Sequence, residues 1–161
     1  MVFHCDSDSA HKMCDLTAVR SEAPPSSPSW LGPFVRVNDR IWDSTGTGPH
    51  PEDPFFWIRQ SPRTGQLSYH IIMHNTPVGI HVFSEDGLTY TLQQSRTGGL
   101  PQPPFVYPSD IVQADGTNFS ARRRERPWLL FAPGTTRPQL LVTSMQAHVW
   151  PVVFTHAQEV R

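Results

Sequence analysis

The sequence predicts an all-β protein, and three observations carry this prediction. The 161 residues include 17 prolines and 10 glycines, which interrupt helices and are typical of strands joined by irregular loops. Nine Phe, five Trp and three Tyr residues add aromatic side chains, which are enriched in strands. Short apolar or alternating runs recur between turn signals, and no apolar period of 3.6 residues lasts for the length of a helix.

The first 28 residues predict one weakly alternating strand and a connector. The strand is "CDLTAVRS", and the connector "EAPPSSPS" contains Pro24, Pro25 and Pro28, which exclude regular structure there. We therefore expect a strand remnant and Pro/Ser-rich connector over residues 1–28 and a main domain over residues 29–161.

Two cysteines lie in this first segment. Cys5 and Cys14 are nine positions apart, too far for a CxxC motif. With His4 and His11 they could form a zinc site, but structural zinc sites use closer ligand pairs followed by a second pair. Two ordinary thiols, or one disulfide, is the favoured interpretation.

Short runs separated by turn signals predict the strands of the main domain. The turn signals include "SPRTGQ", "EDGL", "ADGTN" and "APGTTRP". Strands of about five residues at this spacing fit a sandwich, a barrel or a propeller, which periodicity alone does not separate. The predicted strands are "PFVRV", "PFFWIRQ", "LSYHIIMH", "GIHVFSE", "LTYTLQQ", "RPWLLFA", "QLLVTSM" and "WPVVFTH".

Charge and hydropathy argue against nucleic-acid and membrane partners. Lys and Arg number 13 against 14 Asp and Glu, so the chain as a whole has no electrostatic attraction for polyanions. No apolar run approaches the roughly 20 residues that span a bilayer, so we expect no membrane partner. The N-terminus lacks the features of a signal peptide. The compartment stays open, with the secretory pathway or the cell exterior expected if a longer parent chain carries such a signal.

A local basic run, "RRRERPWLLF" from Arg122, has two interpretations. It could be a nucleic-acid-binding patch, or it could be the start of a strand whose glutamate carries chemistry. The second is favoured by a repeat: "EDPFFW" from Glu52 and "ERPWLLF" from Glu125 both have Glu, one residue, Pro and then an apolar strand. In a propeller, a carboxylate at the start of equivalent strands points towards the central axis.

The order of these motifs resembles the glycoside hydrolase family 43-like five-bladed β-propeller proteins. The resemblance covers roughly Ser29 to Ser144 and depends on "EDPFFW", "GIHVFSEDGLTY" and "RRRERPWLLF" in this order. It implies an all-β fold of antiparallel four-stranded blades. A complete propeller needs about twenty strands, or some 250 to 300 residues, so the chain is expected to be a partial propeller without its first blades. A dimer, or a missing N-terminal segment, would complete the ring.

The resemblance also implies roles for two acidic residues in carbohydrate hydrolysis. Glu125 falls on the general acid, and Asp53 falls on the aspartate that orients the substrate and tunes the pKa of the acid. The general base has no counterpart in this chain, which is therefore expected to be incomplete or inactive alone. No cofactor is expected, and a structural metal ion at the propeller axis would have no assigned ligands.

Further residues are candidates for substrate binding. Along an extended strand Arg123 shares the face of Glu125, so we expect it to approach Glu125 or a sugar hydroxyl. His81 could face the funnel that the resemblance implies at the propeller axis, and Trp57, Trp128 and Trp42 could stack on sugar rings. For His81 and the tryptophans the alternative is a structural role. His70 and His74 share one strand face, and structural residues are favoured there over metal ligands.

The segment "SEDGLTY" resembles the Asp-box hairpins of sialidase-type propellers. In that resemblance Ser84 and Asp86 brace the turn, Gly87 forms it and Tyr90 plugs the blade, so all four are expected to be structural. A sialidase-like propeller is accordingly a further alternative for the fold.

Three functions remain at this point. The first is hydrolysis of O-glycosidic bonds in oligo- or polysaccharide, and the second is carbohydrate binding without catalysis. Nucleic-acid binding is third, because single-strand binders spread cations and aromatic residues along a groove and this chain gathers its cations in one short run.

Overall fold

A computed structural model describes residues 2–5, 14–24, 26–28, 32–38, 52–75, 78–92, 105–149 and 152–160. These residues form twelve β-strands in antiparallel sheets, and they contain no α-helix. The predicted all-β class is confirmed. None of the described segments is a helix of the length and apolarity that cross a bilayer.

The first sheet has three strands, in the order β1 (Val2–Cys5), β2 (Cys14–Ser21) and β3 (Phe34–Asn38). The predicted strand "CDLTAVRS" is β2, residue for residue, whereas β1 was not expected as a separate strand. The antiparallel register of β1 and β2 sets Cys5 opposite Cys14. Whether the two residues form a disulfide stays a prediction.

The second sheet is an up-and-down meander. Its strands are β4 (Glu52–Gln60), β5 (Leu67–Asn75), β6 (Val78–Ser84) and β7 (Thr91–Leu92), with β8 (Phe105–Tyr107) also paired with β6. Among residues 88–92, the described part of the predicted run "LTYTLQQ", two residues form β7, because the turn after β6 occupies the chain as far as Tyr90.

The third sheet is another meander of four strands. It consists of β9 (Asp110–Val112), β10 (Asn118–Phe131), β11 (Pro138–Ala147) and β12 (Val153–Glu159), in the order β12, β11, β10, β9. Four sequential antiparallel strands are the unit from which propeller blades are built. The five-bladed ring itself stays a prediction.

The two "Glu-x-Pro" repeats form the same local structure. The register of β4 against β5 shifts between Glu52 and Phe55, and that of β10 against β11 shifts between Glu125 and Trp128. The residue before each proline has a positive φ, 52° at Asp53 and 53° at Arg126. A positive φ is uncommon for residues other than glycine, and a β-bulge explains both the shift and the presence of proline.

This bulge corrects one expectation about the arginine run. Strand β10 begins at Asn118, so the arginines and Pro127 lie inside a long strand and do not mark its start. The prediction was wrong because Pro127 was interpreted as a boundary, whereas a bulge accommodates a residue that has no N–H to donate to the ladder.

Alternation along β5 supplies two hydrophobic clusters on opposite faces of the second sheet. One face contributes Ile71 and Met73 to a cluster with Ile80 and Val82, against which Phe56, Tyr90 and Leu92 pack. The other face contributes Ile72 to a second cluster with Tyr107, Leu129 and Leu141, bordered by Phe55, Trp57 and Phe131. Because Leu129 and Leu141 belong to β10 and β11, this second cluster joins the two meanders.

Turn-bracing hydrogen bonds occupy the segment after β6. Ser84 Oγ donates to Asp86 Oδ1 at 2.8 Å and accepts from Gly87 N at 2.9 Å, while the amides of Leu88 and Thr89 both donate to Asp86 Oδ1 at 2.8 Å. The φ of 76° at Gly87 suits glycine. These contacts are the ones that a structural role of this hairpin requires.

Candidate functional site

The candidate site is built around His74, a fully buried side chain on β5. Glu52 Oε2 lies 3.8 Å from its Nδ1, and Glu125 Oε1 lies 4.0 Å from its Nε2. The two carboxylates thus approach one imidazole at its two nitrogens. We call His74, Glu52, Asp53, Glu125 and Arg123 the carboxylate site.

The two bulges bring these residues together. Glu52 and Glu125 occupy the same position of the repeated "Glu-x-Pro" motif, and the aromatic residue after each proline packs against its counterpart. The ring centroids of Phe55 and Trp128 are 4.8 Å apart at an angle of 58°. A strained backbone of this kind is maintained only where its surroundings stabilise it, and it is common at functional sites.

Asp53 lies at the same site, next to Glu52. One ligand atom each from Glu52, Asp53 and His74 lie within 4.8 Å of one another. Carboxylate oxygens and an imidazole nitrogen are ligands that divalent cations accept, so these three residues could hold such an ion. Glu52 and Asp53 are exposed, which also leaves their oxygens accessible to the hydroxyls of a ligand.

Burial decides the charge of His74. Loss of solvation lowers the pKa of its imidazole below the usual 6.5, and Arg123 adds to this effect. The carboxylates of Glu125, Glu52 and Asp53 act in the opposite direction but do not reverse it. His74 is therefore neutral at pH 7, so it adds no positive charge to the carboxylates around it.

Arg123 forms an ion pair with Glu125 through its Nε and the Oε1 of the carboxylate. The expectation from strand alternation, that Arg123 approaches Glu125, is thereby met. The side chain of Arg123 is 47% exposed and that of Glu125 only 18%. The guanidinium therefore orients a mostly buried carboxylate while its outer edge stays in solvent.

Arg124 has a different role, which the sequence did not reveal. Its guanidinium is fully buried and donates to Thr143 Oγ1 at 3.1 Å, to the carbonyl of Pro108 at 2.9 Å and to Gln158 Oε1 at 2.6 Å. It also lies 4.7 Å from the ring centroid of Tyr107. Arg124 thus ties β10 to β11, β12 and the segment before β9.

The remaining sequence candidates are divided between two places. Trp57 and His81 line a cavity of about 1150 Å³ between the two meanders, and none of the carboxylate-site residues lines it. Trp128 is 58% exposed and packs against Phe55, which follows the proline of the β4 bulge. Trp42 lies outside the described residues.

Two members of the carboxylate site were missed as site residues in the sequence. The signal for Glu52 was present, because the "Glu-x-Pro" repeat gives it the same position as Glu125. His74 was noted only as a residue on the face of His70, since no periodicity shows that Glu52 and Glu125 reach the same imidazole from different strands.

Comparison with known proteins gives no relative: no family model, no curated protein and no solved structure matches the chain.

Proposed function

We propose that the chain binds oligo- or polysaccharide at the carboxylate site, in the manner of a glycoside hydrolase built on a partial five-bladed β-propeller. Glu125 is the proton donor of this site, and Asp53 orients the sugar. The observation that supports the proposal is the approach of the carboxylates of two equivalent "Glu-x-Pro" bulges to the two nitrogens of one buried histidine.

One of the two carboxyl groups that glycoside hydrolysis needs is present in this arrangement. The reaction needs a carboxylic acid that protonates the leaving oxygen and a second carboxylate on the other side of the scissile bond. Glu52 is not assigned as the second group, because the imidazole of His74 lies between its carboxylate and that of Glu125, where the glycosidic bond would have to lie. Glu125 is assigned as the acid because the family resemblance places that role on it, and its side chain is 18% exposed against 49% for Glu52.

Groups for sugar recognition surround these carboxylates. The exposed face of Trp128 offers an apolar platform for a pyranose ring, and the outer edge of Arg123 offers N–H donors to hydroxyls. The exposed carboxylates of Glu52 and Asp53 accept hydroxyl hydrogens.

The general base implied by the family resemblance has no counterpart in this chain. The proposal is therefore of binding with little or no turnover by the chain alone, and a completed ring, by a second copy or an N-terminal segment, would supply the base. Carbohydrate binding without catalysis, including on a sialidase-like propeller, is the second candidate, because exposed carboxylates and an exposed tryptophan serve recognition equally well.

A glycan array tests the binding. We expect the wild-type chain to retain a subset of glycans, and Glu125→Gln and Asp53→Asn to bind them at least about 10-fold more weakly, because each loses a charge-assisted hydrogen bond. Glu85→Gln is the matched control, since Glu85 is an exposed glutamate outside the site. Equal binding by all four proteins, or binding by none, would remove the proposed site.

Turnover separates the two candidates. Release of reducing sugar from the oligosaccharide that binds on the array, abolished by Glu125→Gln and retained by Glu85→Gln, would establish the hydrolase, because a sugar alkoxide leaves only when it is protonated. Glycan binding that Glu125→Gln weakens, without turnover by any of the proteins, would establish a binding module.

A further inference from the structure

Three polar side chains joined by hydrogen bonds lie on one face of the second sheet, at the end opposite to the bulge of β4. Ser68 Oγ is 2.8 Å from His70 Nε2, and His70 Nδ1 is 3.0 Å from His81 Nε2. Both distances are those of hydrogen bonds. Ser68 and His70 are two residues apart on β5, so they share a face, and His81 lies on the neighbouring strand β6.

We infer that Ser68, His70 and His81 form a nucleophilic site for acyl transfer from carboxylic esters, separate from the carboxylate site. Ser68 is the nucleophile, His70 is the general base, and His81 is a positioning residue. The geometry meets the two requirements of such sites: a nucleophile within hydrogen-bond reach of a base, and a third group that orients the base.

The direction of the hydrogen bonds follows from these roles. When His70 carries its proton on Nδ1 and donates it to His81 Nε2, its Nε2 is free to accept the hydroxyl proton of Ser68. A histidine in the third position can fix this tautomer when its own proton is on Nδ1, because its Nε2 is then an acceptor.

Neighbouring rings hold the base in place. Trp57 stands opposite His70 in the register of β4 and β5. The ring centroid of Trp57 lies 4.9 Å from that of His70 and 5.2 Å from that of His81, with interplanar angles of 17° and 18°. Such packing restricts rotation of both imidazoles, as a base that must keep its orientation requires.

Arg59 is the cation of this site. It stands directly opposite Ser68 in the register, and its charge contributes to the low pKa of His70. A guanidinium next to the nucleophile can stabilise the oxyanion that forms when the serine attacks a carbonyl.

The basicity of His70 determines how fast Ser68 is expected to be acylated. Burial, then the neighbouring His81 and Arg59, lower the pKa of His70 to about 4. The ring is therefore neutral and able to accept a proton across the neutral pH range, but it is a weaker base than an imidazole poised near 7. Slow acylation follows, which covalent trapping detects better than turnover.

Acyl transfer would proceed through an acyl-serine at Ser68. Ser68 Oγ forms a bond to the carbonyl carbon of the ester while its proton passes to His70 Nε2. The tetrahedral intermediate collapses with cleavage of the bond to the leaving alkoxide, which takes the proton from His70 and departs as an alcohol. Water then repeats the sequence on the acyl-serine, releasing a carboxylic acid and free Ser68.

A fluorophosphonate probe and p-nitrophenyl acetate test the inference on the whole chain. We expect fluorophosphonate to label Ser68, located by peptide mass, and p-nitrophenyl acetate to acylate it. Ser68→Ala should lose the label, and His70→Gln should label about 100-fold more slowly, within the usual contribution of a general base. The matched control is Ser61→Ala, because Ser61 belongs to the same hairpin but has a backbone amide as its bonding partner, and it should label at the wild-type rate.

The role of His81 has its own readout. In His81→Gln we expect the pH midpoint of labelling to rise, since one of the causes that lower the pKa of His70 is then absent. A role in packing alone would change the amount of folded protein and leave that midpoint unchanged. Absence of label on folded wild type, persistent labelling of Ser68→Ala, or an unchanged rate in His70→Gln would overturn the inference.

Discussion

Substitution of Gly79 tests the packing that joins the strands beneath the candidate sites. Gly79 lies on β6, and a Cβ atom there would overlap three ring carbons of Tyr107, the fully buried aromatic residue of β8. The backbone conformation alone would favour Gly79→Ala, because Gly79 lacks the positive φ that requires glycine. At such a position Gly→Ala stabilises a protein by about 0.4 to 1 kcal/mol, since alanine restricts the unfolded chain. The clash between the new Cβ and the ring of Tyr107 acts in the opposite direction, because overpacking of a buried ring costs about 1 to 3 kcal/mol or more.

The clash should outweigh the gain from the backbone, because a ring without solvent exposure has no open space into which to turn. We expect Gly79→Ala to lower the free energy of unfolding by about 2 to 3 kcal/mol, measured by urea denaturation with tryptophan fluorescence. A double-mutant cycle isolates the cause. In a Tyr107→Leu background the same change should cost less than about 0.5 kcal/mol, because the clashing ring is gone. A wild-type urea midpoint for Gly79→Ala, or an equal penalty in both backgrounds, would refute this reasoning.

Three further predictions concern stability. The pKa of His70 is about 4 in the folded chain and 6.5 in the unfolded chain, so the unfolded chain binds more protons below pH 6.5. The free energy of unfolding should therefore fall by about 1 to 3 kcal/mol between pH 6.5 and 4, a range that is discounted because solvent partly screens His70. The fall should be less steep in His70→Gln. Hydrogen bonds from the amides of the turn lower the pKa of Asp86 to about 2, so Asp86→Ala should lower the urea midpoint at pH 7, with a difference that shrinks as the pH falls from about 4 towards 2. Arg124→Lys should destabilise by about 2 to 4 kcal/mol in the same assay, because an ammonium group cannot reach the several acceptors of the buried guanidinium; an unchanged midpoint would contradict its role as a clamp.

Much of the fold could be predicted because strand signals are local. Apolar alternation located β4, β5, β6, β10 and β11, and Asp86 with Gly87 located the turn after β6. Strands β8 and β9 were missed because three residues are too few to show a period. The bulges were missed because proline was interpreted as a boundary, whereas the register shift that accommodates it appears only when the partner strand is known.

The candidate site was predictable in part for the same reason. Glu125 and Asp53 could be named because the family resemblance places its acidic motifs on them, and Arg123 could be named because strand alternation is a property of neighbouring residues. Their approach to His74 depends on contacts between β4, β5 and β10, which no local pattern encodes. The hydrogen bond between His70 and His81 likewise depends on the register of β5 and β6. The burial of Arg124 could not be expected from a run of four arginines, since only packing distinguishes it from its neighbours.

A crystal structure of the chain with an oligosaccharide selected on the glycan array tests most directly whether the carboxylate site binds sugar. We expect a sugar ring within hydrogen-bond distance of both Glu125 and Asp53, with one face against Trp128. A sugar bound elsewhere, such as in the cavity lined by Trp57 and His81, with no contact to Glu125 or Asp53, would contradict it.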